Sequence, residues 1–169
     1  MARHFNITSE LTQELLAAGD KTFVSKISLT NVNFGGSTLV DIYIEKNLTG
    51  KFYLLKGVEL PIGATLMYDN VKFDNSDGEF GLYIKLAKAD VFTLTGTIDP
   101  AASTTVPGVN TLFSTEVQVG DEIIVTGETR TVSAIASTTS LTVSSAFSNN
   151  ANDTTPDCSP KSRVDVILS

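Results

Sequence analysis

Apolar and polar residues alternate along most of the first ninety positions, a pattern typical of β-strands with one buried face. Ile27 and Leu29 share one face of the first long segment, and Val40, Ile42 and Ile44 share a face of the next. Residues that favour turns separate these segments, including Asn33–Ser37 and Asn47–Gly50. The predicted strands of this region span residues 22–30, 38–45, 51–58, 65–68, 81–86 and 89–93.

Helical periodicity is nearly absent, with one candidate segment that begins at Ser9. Ser9 would cap the helix, and Leu11, Leu15 and Leu16 would share one of its faces. The same residues also fit a strand that enters a hairpin at Gly19-Asp20. The sequence leaves both alternatives open.

The composition changes at about Gly96 and changes back after Asp157. This segment is rich in Ser and Thr, and it carries one basic residue against seven acidic ones, so 1 − 7 = −6 of the net charge of −7 belongs to it. Residues 161–168 again contain basic residues and alternating apolar residues, as residues 1–92 do. They predict one short strand, which needs a partner strand for its backbone N–H and C=O groups. We therefore predict that residues 1–95 and 158–169 form one domain, in which Val164–Leu168 pairs with a strand from the first hundred residues, and that residues 96–157 form an inserted domain.

Strands at intervals of 8–12 residues indicate an antiparallel sandwich or barrel. The predicted fold class is all-β: a jelly-roll-like antiparallel β-sandwich that carries an inserted small SH3-like β-barrel. A miniature sandwich is the alternative for the insert. Such a unit is small, and the insert holds only two of the nine Phe residues and no Tyr, so the main core is expected in the first domain.

Candidate nucleophiles are few. Cys158 is the one cysteine, which excludes an internal disulfide and a cysteine zinc site, and we interpret it as a spectator thiol in a linker. A catalytic thiol or serine would need a base, and the one histidine, His4, is expected in a mobile N-terminus.

The acidic loop of residues 74–79 offers oxygen ligands of the kind that calcium prefers. An EF-hand register fails, because with Gly78 at the sixth position the first and twelfth positions are Phe73 and Ile84, so a polar hairpin loop is favoured. Asp121 and Glu122 are adjacent in a strand and point to opposite faces. The sequence therefore predicts no catalytic residue, no cofactor site, no cofactor and no metal site, and we do not expect an enzyme.

The net charge of −7 argues against nucleic acid as a partner, because phosphate binding needs clustered Lys and Arg. No apolar run is long enough to span a bilayer, and the first residues do not form a signal peptide, so no membrane partner is expected.

Three segments of the first part, Thr22–Asn31, Val40–Ile44 and Phe52–Leu66, together resemble small β-sandwich virion proteins of tailed bacteriophages. In that family a last strand normally follows directly after the strand represented here by residues 81–86. Ala89–Phe92 begins such a strand, and Arg163–Leu168 resembles its displaced or duplicated copy.

The inserted segment resembles a β-rich module found in many phage structural proteins. The residues that carry this resemblance are Glu116–Val132 and Thr139–Val143. The two resemblances imply a virion part with no catalytic residues to carry over.

The implied function is that of a capsid decoration or cement protein, or of a neck or tail accessory, which acts through many weak protein–protein contacts repeated by the symmetry of the particle. Expected partners are other virion proteins, namely major capsid, neck or tail subunits, and further copies of the chain in a homo-oligomer. The expected location is the virion, assembled in the cytoplasm of the host bacterium.

The alternative function is a receptor-binding or carbohydrate-binding β module at a tail or capsid surface. It needs exposed aromatic platforms, and Trp is absent. Tyr43, Tyr53, Tyr68 and Tyr83 are the candidates, although each lies in a strand pattern.

Overall fold

The computed structural model describes residues 1–46, 49–76 and 78–169, and the described part is nearly all antiparallel β-structure. The predicted turn at Asn47-Leu48 lies outside the described residues. Two compact units are present. The first unit comprises residues 1–32, 37–88 and 162–169, and the second unit comprises residues 33–36 and 89–161.

Fifteen strands and one short helix are found among the described residues. The strands of the first unit are β1 (Arg3–Ile7), β2 (Gln13–Leu16), β3 (Phe23–Asn31), β4 (Thr38–Glu45), β5 (Lys51–Leu60), β6 (Thr65–Asp74), β7 (Gly81–Leu86) and β15 (Val164–Leu168). Those of the second unit are β8 (Phe92–Thr93), β9 (Thr97–Ile98), β10 (Thr105–Val109), β11 (Glu122–Val125), β12 (Glu128–Ser137), β13 (Ser140–Val143) and β14 (Asp157–Ser159), with helix α1 at Phe113–Glu116.

The first unit consists of two four-stranded antiparallel sheets, in the orders β1-β15-β3-β6 and β2-β7-β4-β5. One cluster of buried apolar side chains draws on both sheets, as a β-sandwich requires. Ile27 and Leu29 of β3 and Val40 and Ile42 of β4 are fully buried in it, as their alternation predicts.

The segment after Ser9 is a strand, β2, and not a helix. It pairs with β7 through a register shift between Glu14 and Leu16, and a β-bulge of this kind turns two successive side chains to the same side. Leu15 and Leu16 are consequently both buried.

The predicted pairing of Val164–Leu168 is confirmed. Strand β15 lies between β1 and β3 and pairs with both along its whole length. Residues 89–161 leave and re-enter the first unit at neighbouring points, since the Ser162 hydroxyl donates a hydrogen bond of 2.6 Å to the Ala87 carbonyl.

The unit boundaries differ from the predicted ones. Strand β14 pairs with both β8 and β11, so residues 89–95 and 158–161 belong to the second unit, whereas we predicted them in the first. Residues 33–36, predicted as a turn, also belong to the second unit. A Cβ atom on Gly35 would lie 2.1 Å from the Phe92 ring, so this close approach requires glycine.

The second unit is a seven-stranded antiparallel sheet in the order β8-β14-β11-β12-β13-β10-β9, with its own cluster of buried apolar side chains. The pairing does not show the predicted SH3-like barrel. Asp121, which is 1% exposed, accepts hydrogen bonds from the backbone N–H groups of Gln118 (2.8 Å) and Lys161 (3.0 Å) and so fixes the end of the unit to its middle.

Candidate interaction surface

His4 and Cys158, the candidate base and nucleophile, lie in different units. His4 is exposed in β1, in register with Ile167, so the expected mobile N-terminus is a strand. Cys158 is fully buried in β14, between Ile123 and Phe92, and is therefore a core residue and not part of a linker.

The acidic loop after β6 is held by hydrogen bonds within the first unit. The Asp74 carboxylate accepts a bond of 2.9 Å from the Ser76 N–H, and hydrogen bonding from Ser76 lowers the pKa of Asp74. The buried Asn75 side chain accepts from the Thr22 N–H (2.8 Å) and donates to the Ala17 carbonyl (2.7 Å), so its amide ties the loop to the turn between β2 and β3.

Asp77 of the same loop lies outside the described residues. Among the residues that are described, no group of three or more His, Cys, Asp or Glu is placed to hold a metal ion. No helix within this described part is long and apolar enough to cross a membrane.

Three of the four candidate tyrosines meet on one sheet. Tyr53 of β5, Tyr43 of β4 and Tyr83 of β7 are in register on the face turned away from the apolar cluster, and we call them the tyrosine row. Ring centroids are 5.5 Å apart between Tyr43 and Tyr53 and 5.6 Å apart between Tyr43 and Tyr83, with the second pair stacked. Tyr68 instead packs against the apolar cluster from β6.

Polar groups surround the tyrosine row. The Tyr83 hydroxyl donates to Glu14 (3.1 Å), and burial together with this carboxylate raises the pKa of Tyr83. The ammonium groups of Lys51 and Lys56 lie 4.3 and 4.0 Å from the ring centroids of Tyr43 and Tyr53. The aromatic ring pairs Tyr43–Tyr53 and Tyr43–Tyr83 contribute about 0.5–1.5 kcal/mol each beyond their burial.

The tyrosine row is a poor platform for a flat ligand. Tyr43 is 1% exposed and Tyr83 is half-buried, while Tyr53 is 40% exposed. Of the candidates named from the sequence, only Tyr53 therefore presents much ring surface to a partner. The register that aligns the row follows from two bulges in β5, and alternation alone does not reveal those bulges.

A groove of about 640 Å³ lies beside the tyrosine row on the same sheet. Residues that line it include Glu10, Leu39, Asp41, Gly57, Lys85 and Lys88. Asp41 and Lys85 are directly opposite each other on β4 and β7, and each is two residues from a tyrosine of the row. Positions two apart along a strand face the same side, so groove and row form one surface.

Several large exposed apolar side chains lie on β5, β6 and the turn between them, a segment that we call the β5–β6 arm (residues 51–74). Phe52 is 56% exposed, and Ile62 and Met67 are each 53% exposed, in addition to Tyr53. Phe52 and Tyr53 are successive residues of β5, and exposed aromatic side chains and Met are enriched at the surfaces by which proteins associate.

The β5–β6 arm also forms an edge of each sheet, but its strands are irregular. Strand β5 is bulged opposite Asp41, where the Gly57 N–H donates to the Asp41 carboxylate (2.7 Å). Strand β6 breaks register after Asp69, with positive φ at Asn70 and Lys72. Bulges of this kind hinder the addition of a further strand, so the arm presents side chains more readily than backbone.

The second unit is strongly acidic, with eight acidic residues against Arg130 and Lys161. Its best-anchored carboxylate is Glu128 at the start of β12. Hydrogen bonds from the hydroxyl and N–H of Ser148, the N–H of Asn149 and the side chain of Arg130 lower the pKa of Glu128 to about 2.

Comparison with known proteins adds little. No family model matches the chain, and no curated protein matches it. Among solved structures, a chain from the crystal structure of the T13 IBDV viral particle is similar over 99% of this chain and 38% of that one, at 9% identity and a TM-score of 0.28. The chain thus spans well under half the length of that protein, and a TM-score this low supports no statement about fold or function.

Proposed function

We propose that the protein is a non-enzymatic structural component of a bacteriophage virion, attached to its neighbours by protein–protein contacts. The observation that carries this proposal is the β5–β6 arm, where Phe52, Tyr53, Ile62 and Met67 are all exposed within one continuous segment. Burial of apolar surface drives most protein association, and aromatic side chains and Met are enriched at interfaces.

The resemblance of residues 22–31, 40–44 and 52–66 to phage β-sandwich proteins supports the same role, and the last of these segments includes most of β5. A decoration or cement protein of the capsid, or an accessory of the neck or tail, would repeat this contact around the particle. Many weak contacts then give strong attachment, so a small arm is sufficient.

The proposed partners are major capsid, neck or tail subunits together with further copies of the chain in a symmetric homo-oligomer. The proposed location is the virion, after assembly in the host bacterial cytoplasm. We further propose that the first unit is jelly-roll-like and that the second unit closes as a small SH3-like barrel.

The proposal is tested by mass spectrometry of gradient-purified phage particles from cells infected with a phage that encodes the chain. We expect the protein to be present at a fixed copy number per particle. Particles made with the double variant Phe52→Ser, Met67→Ser should carry at least tenfold less of it, because the arm loses its apolar contacts.

Val109→Ser is the matched control, because Val109 is 59% exposed and lies in the second unit, outside the arm. Its occupancy should equal that of the unchanged chain. Absence of the protein from purified particles refutes the virion role, whereas normal occupancy of the arm variant refutes only the assignment of the arm.

A further inference from the structure

The groove beside the tyrosine row contains an acidic and a basic side chain that face each other without pairing. Asp41 and Lys85 are opposite in the β4–β7 register, yet they form no ion pair in the described structure. Within the described residues, the Lys85 side chain forms no hydrogen bond or ion pair. Its ammonium group is therefore available to a ligand.

The Asp41 carboxylate is held in a fixed position. One of its oxygens, Oδ1, accepts the hydrogen bond from the Gly57 N–H at the bulge of β5, at 2.7 Å. A carboxylate has about four acceptor sites, so this bond orients Asp41 and leaves acceptor capacity for a ligand. Glu10 is oriented in the same way by the Ser162 N–H, at 3.0 Å.

The formal charges of the groove cancel. Glu10 and Asp41 supply two negative charges, and Lys85 and Lys88 supply two positive ones. An anionic ligand would meet both carboxylates, and an apolar peptide would remove the Asp41 carboxylate and the Lys85 ammonium group from water without giving either a hydrogen-bond partner, which is costly. The ligand that fits is neutral and carries groups that both donate and accept hydrogen bonds.

We propose that this groove binds a neutral oligosaccharide. A sugar hydroxyl can donate to the Asp41 carboxylate while it accepts from the Lys85 ammonium group, so the opposed pair matches one hydroxyl or two adjacent ones. Leu39, which is 44% exposed, provides an apolar surface for the C–H face of a sugar ring, and Tyr53, which is 40% exposed, lies in the next row of the sheet.

The volume and shape of the groove agree with this ligand class. About 640 Å³ is within the range of small-molecule sites, and the groove lies open along the surface of a sheet, so a chain of several sugar units can extend beyond it. The glycan function thus rests on the groove and on Tyr53, and not on four aromatic platforms. It goes beyond the virion role and does not depend on it.

The test uses the full chain, labelled with ¹⁵N, and three neutral trisaccharides as probes: maltotriose, cellotriose and N,N′,N″-triacetylchitotriose. Amide resonances are followed by NMR while each probe is added to 20 mM. We expect at least one probe to shift the amide of Gly57, which reports on the Asp41 carboxylate, together with those of Leu39 and Lys85. The second unit should not respond.

Two variants separate specific binding from general effects. Lys85→Ala should weaken binding at least tenfold, because the ammonium donor is removed. Lys26→Ala, on the other sheet, should bind as the unchanged chain does, since its ion pair with Asp69 is exposed and remote from the groove. The proposal is overturned if no probe shifts Gly57, if the shifts map elsewhere, or if Lys85→Ala binds equally well.

Discussion

Removal of residues 162–169 should unfold the first unit, although only its last strand is lost. Strand β15 occupies an inner position of its sheet, so the deletion takes away a partner from both β1 and β3. Val164, Val166 and Leu168 point into the apolar cluster and are at most 2% exposed.

The free energy of unfolding lost on truncation can be worked out from those three side chains. Full burial of a Val or Leu side chain contributes about 1.5–3 kcal/mol, so the three together contribute about 5–9 kcal/mol. The free energy of unfolding of a natural domain is about 5–15 kcal/mol, and the loss of hydrogen bonds on two sides adds to the deficit. The truncated unit should therefore have no stable folded state.

Tyrosine fluorescence provides a selective assay, because all four tyrosines belong to the first unit and the chain has no Trp. The full chain should show a cooperative urea transition, and the truncated chain should show none. Ile167→Ala in the full chain is the control: Ile167 is 41% exposed on the opposite face of the same strand, so the transition should persist with a small shift. A truncated chain that unfolds cooperatively at the original midpoint would refute the reasoning.

Three further outcomes are expected. Tyr43→Ala should lower the free energy of unfolding of the first unit by about 3–5 kcal/mol, as for other buried aromatic residues. Tyr43→Phe should lower it by only about 0.5 kcal/mol, because this variant loses one long hydrogen bond to Thr12. Equal urea midpoints for the two variants would contradict this expectation. Because the pKa of Glu128 is lowered to about 2 in the folded state, ionised Glu128 stabilises the second unit fully above pH 4.5, and this stabilisation is lost as the pH falls towards 2. In Glu128→Gln the melting temperature should lose this part of its dependence on pH. The same dependence of melting temperature on pH in both proteins would contradict this expectation. Replacement of residues 89–161 by a short Gly/Ser linker should leave the tyrosine fluorescence transition of the first unit intact, because Ala87 and Ser162 are hydrogen-bonded neighbours; loss of that transition would show that the first unit needs the excised segment.

Alternation was a reliable guide where a strand has one buried face. Ile27 and Leu29 are buried as predicted, and the discontinuous character of the chain followed from the return of apolar alternation at Val164–Leu168. These features depend on the period of a strand and on the need of a lone strand for a partner, and both can be read from local sequence.

Features that depend on pairing between distant residues were missed. The residues around Phe92 and Cys158 do not show from sequence which unit they belong to. Only the pairing of β8 with β14 places both residues in the second unit. Residues 33–36 look like a simple turn, and the need for Gly35 appears only when the Phe92 ring is seen against it.

The candidate site shows the same limit. Tyr43, Tyr53 and Tyr83 were named from the sequence, but their alignment in one row, and the burial of Tyr43 within it, depend on the bulges of β5. Asp41 and Lys85 do not stand out in the sequence, because charged residues at alternate strand positions usually face water. Their opposition on neighbouring strands is a matter of register, which local sequence does not specify.

The inner position of β15 has a consequence for the order of events during synthesis. Strand β3 ends at Asn31, and its neighbour β15 begins at Val164, so at 5–20 residues per second the ribosome adds β15 roughly 7–27 s after β3. Throughout that interval the sheet of β1, β3 and β6 lacks its inner strand β15, and by the end of the interval every residue of the second unit has been made. The second unit should therefore mature first on the nascent chain, and β1 and β3 should wait with open edges, which makes that interval the period of greatest exposure to chaperones and to misassembly.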